Sequence, residues 1–166
     1  MFFILPLLHL KNATMYQTLT FLHSLFRWLV LLSLVYSVFR ACKGYFLNLK
    51  FSKTADSVRH WTATIAHVQL VLGIILYSKS PIIKYFWKNF TEAKASFDIL
   101  FFSIIHIALM LLSIILITIG SALAKRKSTD KEKFATMLLY FSIALIIILL
   151  AIPWPFSPLA QRPYIR

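Results

Sequence analysis

Apolar residues fall into four runs, at roughly 16–39, 58–78, 98–123 and 134–152, separated by short stretches that carry most of the charge. Each run is close to the ~20 residues that a helix needs to cross the hydrocarbon of a bilayer. Lipid offers no partner to an open strand's backbone, so the pattern predicts helix throughout. The first connection, 40–57, carries Arg40, Lys43, Lys50 and Lys53. The second, from Lys79 to about Phe97, contains Pro81, which cannot continue a helix; its "IIKYFWKNF" alternates aromatics with lysines, as an interfacial segment does. The third, "AKRKSTDKEK", is a short polar turn in which Ser128 or Thr129 caps the last helix and Glu132 completes a capping box with Thr129. After Ile152, "PWPFSPLAQRPYIR" has four prolines and ends any helix. The expected fold is therefore all-α, an integral membrane four-helix up-and-down bundle over 15–156 with a Pro-rich C-terminal tail over 157–166. Residues 1–14, "MFFILPLLHLKNAT", are too short to span and lack a signal peptide's charged start. They are read as a peripheral N-terminal extension, and Met15 as an alternative start.

Composition agrees with this reading: of 166 residues, 60% are hydrophobic and 16% aromatic. Eighteen basic residues against five acidic ones give a formal charge of +13, which in a soluble chain would suggest nucleic acid. Here the bases lie in loops between spans and no nucleic-acid motif accompanies them, so they are orientation signals and contacts to anionic lipid. The first and third connections carry ten (Arg40, Lys43, Lys50, Lys53, Arg59; Lys125, Arg126, Lys127, Lys131, Lys133). The opposite side carries seven (Lys11, Lys79, Lys84, Lys88, Lys94, Arg162, Arg166). The positive-inside rule then places both termini outside, in the periplasm for a bacterial inner (cytoplasmic) membrane. Cys42 is the lone cysteine, which excludes an intrachain disulfide and a cysteine metal cluster.

The chemistry lies in the polar residues within the runs. His23, His67 and His106 stand one each in three spans, and an ionisable side chain inside a membrane is by default a candidate functional group. At 1.5 Å per residue, His23 and His106 lie about 6 Å from the midplane on the same side, and His67 lies near the centre. His60, seven residues before His67 on the same face, belongs to the span end, where snorkelling is role enough. Arg27 follows His23 by four residues and shares its face. No Asp or Glu lies within a span (Asp98 is at an end), so the charge of Arg27 calls for an anion from outside the chain, such as a haem propionate, or a polar group such as a quinone carbonyl. Imidazoles on facing helices can fill both axial positions of a haem iron. His23 and His106 match in depth and are the expected pair, with His67 the alternative ligand. Thr20, Ser24, Thr64, Gln69 and Ser103 are candidates to fix an imidazole's second nitrogen. Met110 is another conceivable axial ligand, although a methionine on an apolar helix is usually packing. A single histidine within a span is often merely bonded to a neighbouring helix, and Trp28, Trp61, Trp87 and Trp154 read as interfacial anchors.

"LHSLFRWLVLL" in the first span, "AHVQLVLGIILYSKSP" through the second, "IHIALMLLSIILITIG" in the third and "LLAIPWPF" closing the fourth resemble a family of small four-span membrane proteins of Bacteroidota often labelled cytochrome B. The resemblance covers nearly all of the chain from Met15. It implies a haem site built from His23 with Arg27, His67 with Gln69, and His106. An acidic residue often precedes the third histidine in that family, where this chain has Ile105. The expectation is a b-type cytochrome-like subunit carrying haem b for electron transfer, with quinone as a further partner beside membrane lipids and other membrane subunits. The alternative is a non-catalytic accessory subunit of a larger membrane complex. A transporter is disfavoured, because the spans lack broken, glycine-rich helices and inverted repeats.

Overall fold

A computed structural model describes residues 4–157 and 159–165, with the backbone alone for 4–13. The described chain is built from helices: α1 (Ile4–Phe46), α2 (Lys53–Lys79), α3 (Pro81–Lys88), α4 (Phe90–Ala93), α5 (Phe97–Leu100), α6 (His106–Arg126) and α7 (Asp130–Ala151). A π-helical turn, Phe101–Ile105, fuses α5 and α6 into one rod. Among the described residues, four segments are long and apolar enough to cross a membrane: Thr14–Phe46, Lys53–Lys79, Phe97–Arg126 and Asp130–Ala151. The protein is a helical, multi-pass membrane bundle.

The helices run past the apolar stretches that announced them. Arg40 and Lys43 lie on the last turns of α1, not in a loop, because hydropathy marks the thickness of hydrocarbon while Lys and Arg are good helix formers that suit a helix's negative end. The expected connection 40–57 shrinks to residues 47–52. It closes with Asn48 in the left-handed region (φ 49°) and the Leu49 N–H donating to the Gly44 carbonyl at 3.0 Å, a Schellman-type stop. Ser52 then caps α2, its Oγ accepting from the Ala55 N–H at 3.3 Å. Residues 4–14, expected as a separate extension, continue α1 without a break; residues 1–3 lie outside the described residues. Pro6 falls in the first turn of α1 as described, where no intrahelical N–H bond is lost. Pro81 ends α2 and opens α3. Thr129 and Glu132 form the full capping box of α7.

Each long helix packs on its two neighbours in chain order, and α7 closes the square against α1. This leaves α1 and α6 diagonal to each other. Lipid competes for apolar surface as well as a helix does, so close packing and interhelical hydrogen bonds carry the association. Leu34, Ala41, Ala66, Ile117, Phe141 and Ala144 are fully buried. Gly120 lets α7 approach α6: a β-carbon there would sit 2.4 Å from Tyr140 Cβ. Ser37 and Thr62 share a 2.6 Å hydrogen bond between α1 and α2. Arg59, counted from sequence among the loop bases, is instead buried; it pairs with Asp56 at 2.8 Å and donates to the Ser121 hydroxyl and carbonyl of α6 at 2.6 and 3.0 Å. Its charge joins helices at the end of the bundle opposite the termini.

Candidate functional site

At the end where the termini lie, the four long helices part around a cavity of about 200 Å³. A water needs about 10–15 Å³ on this measure, so the space can take a ligand. α1 contributes His23 and Arg27 one turn apart. α2 answers with Gln69, Gly73 and Tyr77, spaced by four so that they form one stripe. α6 contributes His106, and its neighbouring turn Phe102.

His106 enters the wall directly after the π turn, its N–H bonding back to the Phe101 carbonyl. Such a turn shifts the register of the side chains that follow, and π turns are frequent at functional sites. The imidazole meets the Ala151 carbonyl at the end of α7, with Nδ1 to O 2.9 Å. A carbonyl can only accept, so Nδ1 carries the proton and Nε2 keeps its lone pair. This is the arrangement by which metal-binding histidines are usually held.

His23, across the diagonal, is governed by Gln69. The Gln69 amide nitrogen donates to the His23 carbonyl at 3.0 Å and lies 3.2 Å from Nδ1 and 3.4 Å from Nε2. Gln69 Oε1 is buried with no partner. As placed, the amide's N–H groups hold the His23 carbonyl and approach the ring; turned over, its oxygen would stand against that carbonyl, acceptor to acceptor, so the placed setting is the one the backbone selects. Gly73 keeps the space beside this ring clear.

Arg27 finds a partner that its sequence did not reveal. The C-terminal segment folds back over the bundle end, and Arg27 Nη2 donates to the carbonyl of Tyr164. The guanidinium also stands over the rings of Trp28 and Trp154, 5.6 and 5.9 Å from their centroids. The polar partner expected from outside the chain is thus supplied in part by the chain itself, although a carbonyl leaves the charge unbalanced. The same segment brings Arg162 to the cavity. Its Nη2 bonds Asp98 of α5 at 2.7 Å, and its guanidinium lies 4.6 Å over Phe102. The sequence reads residues 157–166 only as a tail and Arg162 only as an orientation base; Pro158 and Arg166 lie outside the described residues. No local signal could have found it, because its partner is 64 positions away.

Of the three membrane histidines, His23 and His106 line the cavity and His67 does not. His67 is exposed on the outer face of α2 and bonds Thr118 of α6 at 3.0 Å. His60 is exposed on the same side of α2, against Trp61. Met110 is part of the cavity wall, together with apolar residues such as Val30 and Ile114. Thr20 and Ser24 line it too, whereas the Thr64 hydroxyl turns back to its own helix.

Among the described residues, four buried side-chain polar atoms lack a partner: Arg27 Nε, Gln69 Oε1, Ser103 Oγ and Arg162 Nε. Three of them belong to residues lining this one cavity. Folded proteins satisfy roughly 90% or more of such atoms, so their concentration here marks a place where a ligand's polar groups are wanted. No protein-family model, curated protein or solved structure matches the chain.

Proposed function

We propose that this protein is a b-type cytochrome-like membrane subunit in which His23 of α1 and His106 of α6 would hold the iron of a haem b. The observation that carries the reading is the pair of histidines on diagonal helices across a cavity whose lining residues hold most of the unpartnered buried polar atoms. The residues present suit the group. His106 offers Nε2, His23 offers the ring nitrogen that the Gln69 N–H now approaches, the wall is largely apolar, and Arg27 stands ready for a carboxylate. Haem bound there would supply reversible one-electron chemistry at its iron.

The chain's own residues would set the conditions of that chemistry. The Ala151 carbonyl fixes the orientation and tautomer of His106. Gln69 braces His23 by donating to its backbone carbonyl. Apolar wall residues keep water out and the dielectric low, which strengthens the interaction of Arg27 with any charge placed beside it. Quinone is the natural exchange partner for electrons in this setting, with the bacterial inner membrane as the location and both termini periplasmic on the charge count.

A second reading, the accessory subunit, is favoured by one observation. His67 presents an imidazole to the outer face of the bundle at mid-span, where a partner helix would serve it better than lipid does. Visible spectroscopy separates the two. Protein expressed with haem available and purified in mild detergent should show a Soret band that sharpens and shifts on reduction with dithionite. A preparation without such a band would leave the accessory-subunit reading in its place.

A further inference from the structure

Arg27 and Arg162 reach the cavity from elements far apart in sequence, and each is held by one edge only. Arg27 spends Nη2 on the Tyr164 carbonyl. Arg162 spends Nη2 on Asp98 and Nη1 on its neighbour's carbonyl, Gln161 O, at 2.7 Å. In both the Nε is buried and bonded to no described residue. The two are tied to one stretch of chain, since Tyr164, which holds Arg27, lies two residues beyond Arg162. Among the described residues, two positive charges thus meet one carboxylate, and that carboxylate is half exposed: Asp98 retains 47% of its side-chain accessibility against 24% for Arg162. One charge is left over at a largely apolar cavity in a membrane protein, where an unbalanced guanidinium is costly.

From this we infer that the cavity takes an amphipathic acid, an apolar body with a carboxylate or phosphate head, and that Arg162 on the C-terminal segment is its second cationic anchor beside Arg27. The stretch that carries Arg162 and Pro163 is then a wall of the binding site. The aromatic contacts of Trp154 and Tyr164 with Trp28, at 5.9 and 6.4 Å between centroids, seat it on α1. The free Nε groups receive the head, and the apolar wall between the helices receives the body. This rests on the reading of the cavity as a ligand site given above, but not on that ligand being haem. The propionates of a tetrapyrrole and the head of an acidic lipid are the same chemistry to a guanidinium.

The test compares acids with their esters, using the full chain in nanodiscs of neutral phosphatidylcholine. Haemin and haemin dimethyl ester are titrated by Soret absorbance; dodecanoate and methyl dodecanoate are titrated by calorimetry. In the wild type the acid of at least one pair should bind about tenfold or more tightly than its ester, the scale of one charge-assisted hydrogen bond. Arg162→Gln should bring the ratio close to one, and Arg162→Lys should keep part of it. Asp98→Asn removes the competing carboxylate and should widen the ratio, which gives a reading even where Arg162→Gln fails to fold. Preference within the haemin pair assigns the head to a tetrapyrrole. Preference confined to the dodecanoate pair assigns it to a lipid; where neither haemin nor its ester then shifts the Soret band, the haem reading ends while this inference stands. Equal binding of acid and ester in both pairs overturns the inference, even if the haemin ester binds well and the haem reading survives. So does a full acid preference retained in folded Arg162→Gln, or a ratio unmoved by Asp98→Asn.

Discussion

Gly73 of α2 faces the His23 imidazole of α1 so closely that a β-carbon at position 73 would lie 3.3 Å from Cε1 and 3.7 Å from Nδ1. Within a helix, glycine is replaced by alanine with a gain of about 0.5–1 kcal/mol in backbone terms. Stability and site geometry should therefore separate at this position. Gly73→Ala should melt no lower than wild type yet shift the haem spectrum, and Gly73→Val should lose the Soret band. A Gly73→Val protein with an unchanged spectrum would show that His23 is not an iron ligand.

The histidines differ in what they touch, and their substitutions should differ accordingly. His106→Ala and His23→Ala should each abolish the haem spectrum or convert it to that of a five-coordinate iron. His67→Ala and His60→Ala should leave it unchanged, since both side chains lie outside the cavity. His106→Ala also takes away a hydrogen bond from the Ala151 carbonyl and should lower stability by about 1–3 kcal/mol. Absorbance of the reduced proteins and their thermal melts check these outcomes together.

Gly120 has no such freedom. A methyl group there would lie 2.4 Å from Tyr140 Cβ, an atom fixed to its backbone, so α6 and α7 would have to separate. Gly120→Ala should destabilise the bundle by about 1–3 kcal/mol, the usual range for overpacking, in spite of alanine's better helix propensity. Reversible unfolding in mixed micelles measures it, with Gly73→Ala as the internal contrast.

Four antiparallel helices place residues near both termini at one end and the 127–129 turn at the other. Single cysteines introduced at positions 161 and 128, in a chain with Cys42→Ser, should label with an impermeant maleimide from opposite sides of the membrane. The charge count predicts labelling of position 161 from outside in intact cells. Labelling of position 128 from outside would reverse the orientation without altering the bundle.

Much of this was legible in the sequence, and the boundary has a physical basis. Hydrocarbon thickness imposes a length, so four apolar runs announced four spans. Proline geometry and capping chemistry are local, so Pro81 and the Thr129–Glu132 box could be placed before any coordinates. Helical periodicity put His23 and Arg27 on one face. It could not say which face of a helix turns inward, because in a membrane bundle the lipid side is as apolar as the packed side and no hydrophobic stripe marks the interior. That is why His67 could not be separated from the other two. Once Gln69 and Gly73 face His23, His67, two residues earlier and about 200° around the helix, must face away. Only the tertiary structure could decide that α1 and α6 stand on a diagonal. The contacts of Arg162 with Asp98 and of Arg27 with Tyr164 were likewise out of reach, since they join residues 64 and 137 positions apart and no periodicity extends that far.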